Sequence, residues 1–193
     1  MGAAVHDIHV RYGAEGAQAH VASRSYSVCL GRGGVVAPHA KREGDGCTPA
    51  GQYPLRGIFY NPERVILPSS LNLPVQAISL HQGWSDDPED PCYNTLVNLP
   101  HSYRHEVLWR EDALYDVVIV VGYNDAPPVP GAGSAIFIHV RKSPASSLSA
   151  SVQAVGGGQT EGCVAFFLCD LLSILPHLSD ASRVFIPLPG TAH

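Results

Sequence analysis

Basic residues are scarce in this chain. Lys and Arg together number 12 against 17 Asp and Glu in 193 residues, the formal net charge is −5, and the cations are scattered. Binding to a phosphate backbone draws on a concentrated cationic face, so nucleic acid is not an expected partner. Long apolar runs are missing as well: Val117 to Val121 is far too short to span a bilayer, and no membrane span is expected. Residues 1–10 lack the cationic start and apolar stretch of an export signal, so no signal peptide is visible. There is no HExxH and no GxSxG sequence, which argues against the familiar zinc-protease and α/β-hydrolase readings. The glycine clusters at 31–34 and 131–134 lack the Lys-Ser/Thr ending of a phosphate loop, and the second precedes a strand where a dinucleotide fingerprint would precede a helix. Five cysteines (Cys29, Cys47, Cys92, Cys163 and Cys169) form no CxxC or paired spacing, so neither a zinc site nor a disulfide frame is expected and at least one thiol is free. Asp86, Asp87, Glu89 and Asp90 read as a solvated acidic turn rather than a cation site. No metal and no cofactor are expected.

Turn formers are plentiful instead. With 19 Gly and 16 Pro, 45% hydrophobic and 15% charged residues, the chain reads as one mainly β globular domain over residues 1–193. Near-alternation at 5–12 and 20–30, separated by a Gly/Ala-rich link, predicts a hairpin. A strand is expected through Leu55 and Tyr60 and a short one at 77–80, with loops at 41–51 and 84–91. The β-branched run at 115–123 (YDVVIVVGY) predicts a central strand buried on both faces, with 134–140 (SAIFIHV) as its neighbour. Residues 141–159, mostly Ser, Ala and Gly, read as a mobile loop. Strand character resumes at 160–167; Leu168, Leu171, Leu172 and Leu175 fall at helical spacing up to Pro176, and 184–188 closes the chain as a strand.

A thiol is a useful nucleophile only as thiolate, which calls for a neighbouring base, most often histidine. His139 ends one expected strand and Cys163 begins the next, so the connection between them returns the thiol to the imidazole. Gly162 permits close backbone approach, and amide N–H groups around the cysteine suit an oxyanion hole. On residue pattern alone, Cys163 reads first as a buried small hydrophobe and His139 as a core histidine bonded to backbone. Cys169 is expected in the core of the helix, and Cys47 in a loop without a base.

The run Ile136-Phe137-Ile138-His139 followed by Thr160-Glu161-Gly162-Cys163-Val164-Ala165 is similar to the histidine and Ser/Thr-x-Gly-Cys signature of the L,D-transpeptidase catalytic domain, or YkuD domain. Further stretches agree in order: CLGR at 29–32, KREGDGCTPAG at 41–51, WSDDPEDPCYN at 84–94, and 114–139, so the resemblance runs from about Ser25 to Ile186. It implies a YkuD-like β-sandwich with one or two short helices, and a cysteine that attacks a peptidoglycan stem tetrapeptide between an L-centre and a D-residue. The terminal D-alanine leaves, and an amine accepts the acyl group to form a cross-link. By position, Cys163 is the nucleophile, His139 the base and Val140 the carbonyl that orients it. Gly162 with Cys163 supplies oxyanion donors, and Thr160 and Glu161 shape the pocket mouth. The resemblance also implies a place in the cell envelope or periplasm and a carbapenem adduct on the thiol. Water as acceptor would make the same site an L,D-carboxypeptidase, and an idle site would leave a domain that binds cell-wall peptide. One departure concerns Ala165, where many members carry Arg or Asn to contact the substrate; the long 141–159 stretch is another.

Overall fold

The computed structural model describes residues 6–141 and 159–190. Its first three strands, β1 (Ile8–Gly13), β2 (Gly16–Val21) and β3 (Arg24–Cys29), form an antiparallel meander rather than a single hairpin. The Gly/Ala-rich link is itself the middle strand. Alanine carries little β signal, yet Ala19 and Val21 alternate with outward residues and are buried. The chain then makes a two-residue parallel bridge between β4 (Val35–Val36) and β5 (Thr48–Pro49), and runs into the long β6 (Gly51–Tyr60).

After β7 (Val75–Ala77), which shares only Ala77 with the expected 77–80 strand, come β8 (Gln82–Ser85), β9 (Leu96–Asn98) and β10 (His105–Val107). These last three make a small antiparallel sheet in the order β10-β8-β9. The remaining elements are β11 (Val117–Val121), β12 (Phe137–Val140), β13 (Val164–Phe166), α1 (Leu168–Ile174), a 3₁₀ turn over Leu175–His177, and β14 (Arg183–Ile186). The fold is mainly β with one short α-helix. The main sheet runs β11-β12-β13-β3-β2-β1-β14-β6-β7, and β6 also pairs with β11, so all but β7 close into a ring.

The period-2 geometry of strands sorts the apolar residues into two clusters. Val117, Ile119, Val121, Ile138, Val164 and Phe166 face one core, against which Leu171 and Ile174 of α1 pack. Val118, Val120, Phe137 and Cys163 face the other, with Ile78, Leu108 and Tyr115, against which Trp84 of β8 packs. All five residues of β11 are therefore buried, as its β-branched run predicts. Trp84 meets Phe137 edge-on at 5.1 Å, joining the small sheet to β12.

β12 and β13 are parallel, with Ile138 opposite Val164 and His139 opposite Ala165. Parallel neighbours cannot be joined by a tight turn and need a crossover of about a dozen residues or more, which accounts for the length of chain between the two strands. The loop expected at 141–159 lies, apart from its two ends, outside the described residues.

Candidate functional site

Alternation on β12 and β13 puts Phe137, His139, Cys163 and Ala165 on one face, and His139, Cys163 and Ala165 line a cavity of about 720 Å³. The same cavity is walled by Glu43, Glu106, Arg110 and Tyr115, brought in from the 41–47 loop, β10 and the segments flanking β10 and β11.

The imidazole is held by its own strand. His139 Nδ1 lies 2.8 Å from the carbonyl oxygen of Val140, which can only accept, so Nδ1 carries the proton and Nε2 is the basic nitrogen. Tyr115 packs edge-on against the ring at 5.4 Å and 77°. Burial lowers the pKa of His139 to about 4, against the opposing pull of the Val140 carbonyl. The thiol of Cys163 donates to the carbonyl of Ala135 at 3.2 Å and its sulfur accepts from Phe137 N–H at 3.3 Å. Burial, reinforced by the charge of Glu106, pushes its pKa up to about 12, with the Phe137 N–H opposing. At rest the enclosed site therefore favours a neutral thiol beside a neutral imidazole, not the thiolate–imidazolium pair that the Cys–His chemistry suggests from sequence. Charges are costly there until something polar replaces water.

The turn before β13 is fastened from three sides. Thr160 Oγ1 donates to the Cys163 carbonyl at 2.7 Å and accepts from Gly162 N–H at 3.1 Å. Arg32 N–H donates to the Thr160 carbonyl at 2.8 Å, and Thr160 N–H to that of Leu30 at 3.1 Å. Arg32 Nε also pairs with the exposed Glu161 at 2.8 Å. The positions differ from the sequence expectation in detail. Gly162 N–H is committed to Thr160, whereas Cys163 N–H has no acceptor among the described residues. Thr160 is a buried brace of the turn, and Glu161 stands at the rim.

Gly162 has φ +135°, and a Cβ there would stand 2.7 Å from the carbonyl oxygen of Cys47. Gly31 meets the same loop: a Cβ on it would fall 2.3 Å from Gly46 O, while its N–H donates to Thr48 Oγ1 at 2.8 Å. The CLGR and KREGDGCTPAG stretches are thus backbone packed on backbone beneath the cysteine turn. Lys41, almost wholly buried, fastens this loop through Asp45 at 2.6 Å.

The WSDDPEDPCYN stretch frames the opposite wall. Asn94 accepts from Trp84 Nε1 at 2.9 Å and from Ala135 N–H at 3.0 Å, and donates to the carbonyls of Tyr123 and Asn124. It thereby holds Ala135, whose carbonyl accepts the hydrogen bond of the Cys163 thiol. Tyr93 bonds Glu43 and Gly133 N–H. Asp90 is buried on Ser85, Cys92 N–H and His101, and Asp86 pairs with Arg104, so this turn is more enclosed than a solvated acidic loop. Cys169, expected in the core, is exposed, because the helix turns Leu171 and Ile174 inward.

Sequence reasoning does not single out Glu106, Arg110, Tyr115 or Glu43. Tyr115 opens the β11 run and reads there as a strand residue, and the others lie in segments without periodic signal. Among the described residues there is no cluster of three or more His, Cys, Asp or Glu arranged to hold a metal, and no helix is long and apolar enough to cross a membrane.

Neither a search of curated proteins nor one of solved structures found a match. A family model does match, over residues 14–186, reaching further toward the N-terminus than the motifs alone. It is that of the L,D-transpeptidase catalytic domain, YkuD, and with nearly the whole chain covered this protein belongs to that family.

Proposed function

We propose that the domain transfers acyl groups between peptidoglycan stem peptides through a thioester on Cys163, and that it works in the cell envelope. The observation that carries this reading is the shared cavity: the Cys163 thiol and the His139 imidazole, its tautomer set by Val140, open on one enclosed space.

In the first step the S–H swings from the Ala135 carbonyl toward Nε2 of His139, and the sulfur attacks the carbonyl carbon of the L-centred residue. The proton passes to Nε2, and the oxygen of the tetrahedral intermediate takes a hydrogen bond from Cys163 N–H. The C–N bond then breaks, imidazolium returns the proton to the departing amine, and D-alanine leaves a thioester behind. An acceptor amine attacks that thioester, gives its proton to Nε2, and the proton restores the thiol as the new amide is released.

Incubation with a disaccharide tetrapeptide, with and without an acceptor amine, and mass analysis of the products test this directly. Cross-linked peptide is the expected product. Shortened stem peptide alone would make the domain a carboxypeptidase, and failure of both peptide and carbapenem to leave an adduct on Cys163, under conditions where peptide binds, would make it a binding module.

A further inference from the structure

β12 presents a row of main-chain groups to β13, and one step of that row is taken by sulfur instead of backbone. Just past β12, Arg141 N–H donates to the Phe166 carbonyl, whereas the Ile136 carbonyl accepts from Val121 N–H on the opposite edge. Main-chain groups alternate between the two edges of a strand, so the edge facing β13 carries the Ala135 carbonyl and the Phe137 N–H. The parallel register begins with Ile138 opposite Val164. One step earlier Gly162 has φ +135° and its N–H turns back to Thr160, so the chain has left the ladder. The Cys163 thiol fills the vacated step, donating to the Ala135 carbonyl at 3.2 Å and accepting from Phe137 N–H at 3.3 Å. The orientation of the thiol therefore follows the Ala135 peptide.

That peptide is held in a conformation that alanine does not favour. Ala135 has φ +51°, in the left-handed region where a Cβ crowds its own backbone. Its N–H donates to Asn94 Oδ1 at 3.0 Å, and Asn94 Nδ2 donates to the carbonyls of Tyr123 and Asn124, just past β11, at 3.1 and 2.7 Å. Trp84 Nε1 supplies the second bond to Oδ1 at 2.9 Å, so the buried amide accepts twice and donates twice, its full capacity. One side chain thus ties the exit of β11 to the approach of β12. Asn94 does not itself line the cavity.

We propose that Asn94 is a positioning residue for acyl transfer: through Ala135 it fixes the main-chain step on which the Cys163 thiol rests, and with it the line along which sulfur approaches a donor carbonyl. This rests on the acyl-transfer reading above. Without the amide, Ala135 relaxes out of its left-handed conformation, its peptide turns and the S–H loses its acceptor, while Phe137 stays paired with Val120. A donor then enters an unchanged cavity and meets a misdirected thiol. Glu106, Glu161 and Lys41, whose charges reach the thiol, and His139 and Tyr115, which line the cavity with it, are left as they are.

Single-turnover release of D-alanine from a stem tetrapeptide compares the wild type with Asn94→Gly, which accepts the φ of +58° without strain and removes only the amide. The limiting rate should fall by about 10- to 100-fold, with the half-saturating donor concentration within about threefold of the wild type. Adding Ala135→Gly should restore the rate about fivefold or more, because glycine adopts φ +51° freely. Trp84→Phe, which breaks the other bond to Oδ1 and leaves Ala135 held, should stay within about threefold of the wild-type rate. A wild-type rate in Asn94→Gly, or a loss that Ala135→Gly does not relieve, overturns the proposal and leaves acyl transfer intact.

If the wild type releases no D-alanine and forms no thioester, the acyl-transfer reading has failed, and iodoacetamide still decides. With its acceptor gone and Phe137 N–H in place, Cys163 of Asn94→Gly should be alkylated about fivefold faster or more at each pH between about 7 and 9, while the half-buried Cys29 of the same chain keeps its rate. Equal rates at Cys163, or a parallel rise at Cys29 that marks general loosening, overturn the role of Asn94. Should Asn94→Gly not fold, amide exchange in the wild type takes its place: Ala135 N–H protected like the amides of β12 sustains the proposal, and free exchange overturns it.

Discussion

The carbonyl oxygen of Cys47 occupies the space where a side chain on Gly162 would begin, 2.7 Å from the position of its Cβ. The loop that carries one cysteine therefore dictates the residue that precedes another. Gly162→Ala meets both a backbone clash and a φ of +135° that L-residues rarely adopt, and should cost about 2 kcal/mol or more in urea unfolding. On the proposed acyl-transfer reading, acylation of Cys163 should fall further than stability does, since relief of the clash displaces the thiol. Cys47→Ser, which keeps the carbonyl, should leave the turn in place. A stable, fully active Gly162→Ala protein would contradict the packing described.

Protonation of the buried pair should be visible in stability. His139 titrates near 4 in the folded protein but near its ordinary value when unfolded, so between those pH values the unfolded chain binds more protons. Stability should accordingly fall as pH drops from about 6.5 toward 4, with His139 contributing at most about 1.4 kcal/mol per pH unit. For Cys163 the sign is opposite at the alkaline end. The unfolded thiol ionises first, and stability should decline as pH rises from about 9 toward 12. Urea titrations at pH 4.5 and 7 should show a smaller difference in His139→Gln than in the wild type.

The same pair should set the reactivity of the Cys163 thiol in the free protein. A thiolate–imidazolium site would alkylate at a constant rate from pH 5 to 8, whereas the neutral pair predicts a rate that keeps climbing through this range. Stopped-flow alkylation against pH distinguishes them. Cys163→Ala should leave no acyl adduct by mass spectrometry, and His139→Ala should slow acylation by about 10²- to 10⁴-fold.

Lys41 lies about as deep as any apolar residue, and Asp45 is its ionic partner. Lys41→Ala leaves that carboxylate without its charge partner and should destabilise the protein by about 3 kcal/mol in denaturant. Because the loop lies under the cysteine turn, alkylation of Cys163 should also change in this variant.

The β11–β12 pair, and with it His139, is legible in the sequence because five consecutive β-branched residues have no other good use than a strand buried on both faces. The Cys163 turn is legible through its family signature. The meander is not, because the small residues Ala17 and Ala19 of β2 lack the bulk that marks a strand. Nor is the placing of Glu106 and Tyr115 in one cavity wall, since it depends on the small β8–β9–β10 sheet folding onto β11 and β12, a contact between segments whose local composition points to turns. Gly162 is the instructive case: its sequence neighbours suggest an oxyanion donor, whereas its N–H is bonded to Thr160 and its missing side chain makes room for Cys47.

The parallel pairing of β12 with β13 separates two tasks that a hairpin would fuse. Register along the ladder, with His139 opposite Ala165, places His139 and Cys163 on the wall of one cavity, and the connection between the strands has to be long enough to cross over. A change in the length or composition of that connection should therefore leave the ladder register, and with it the shared cavity of His139 and Cys163, in place.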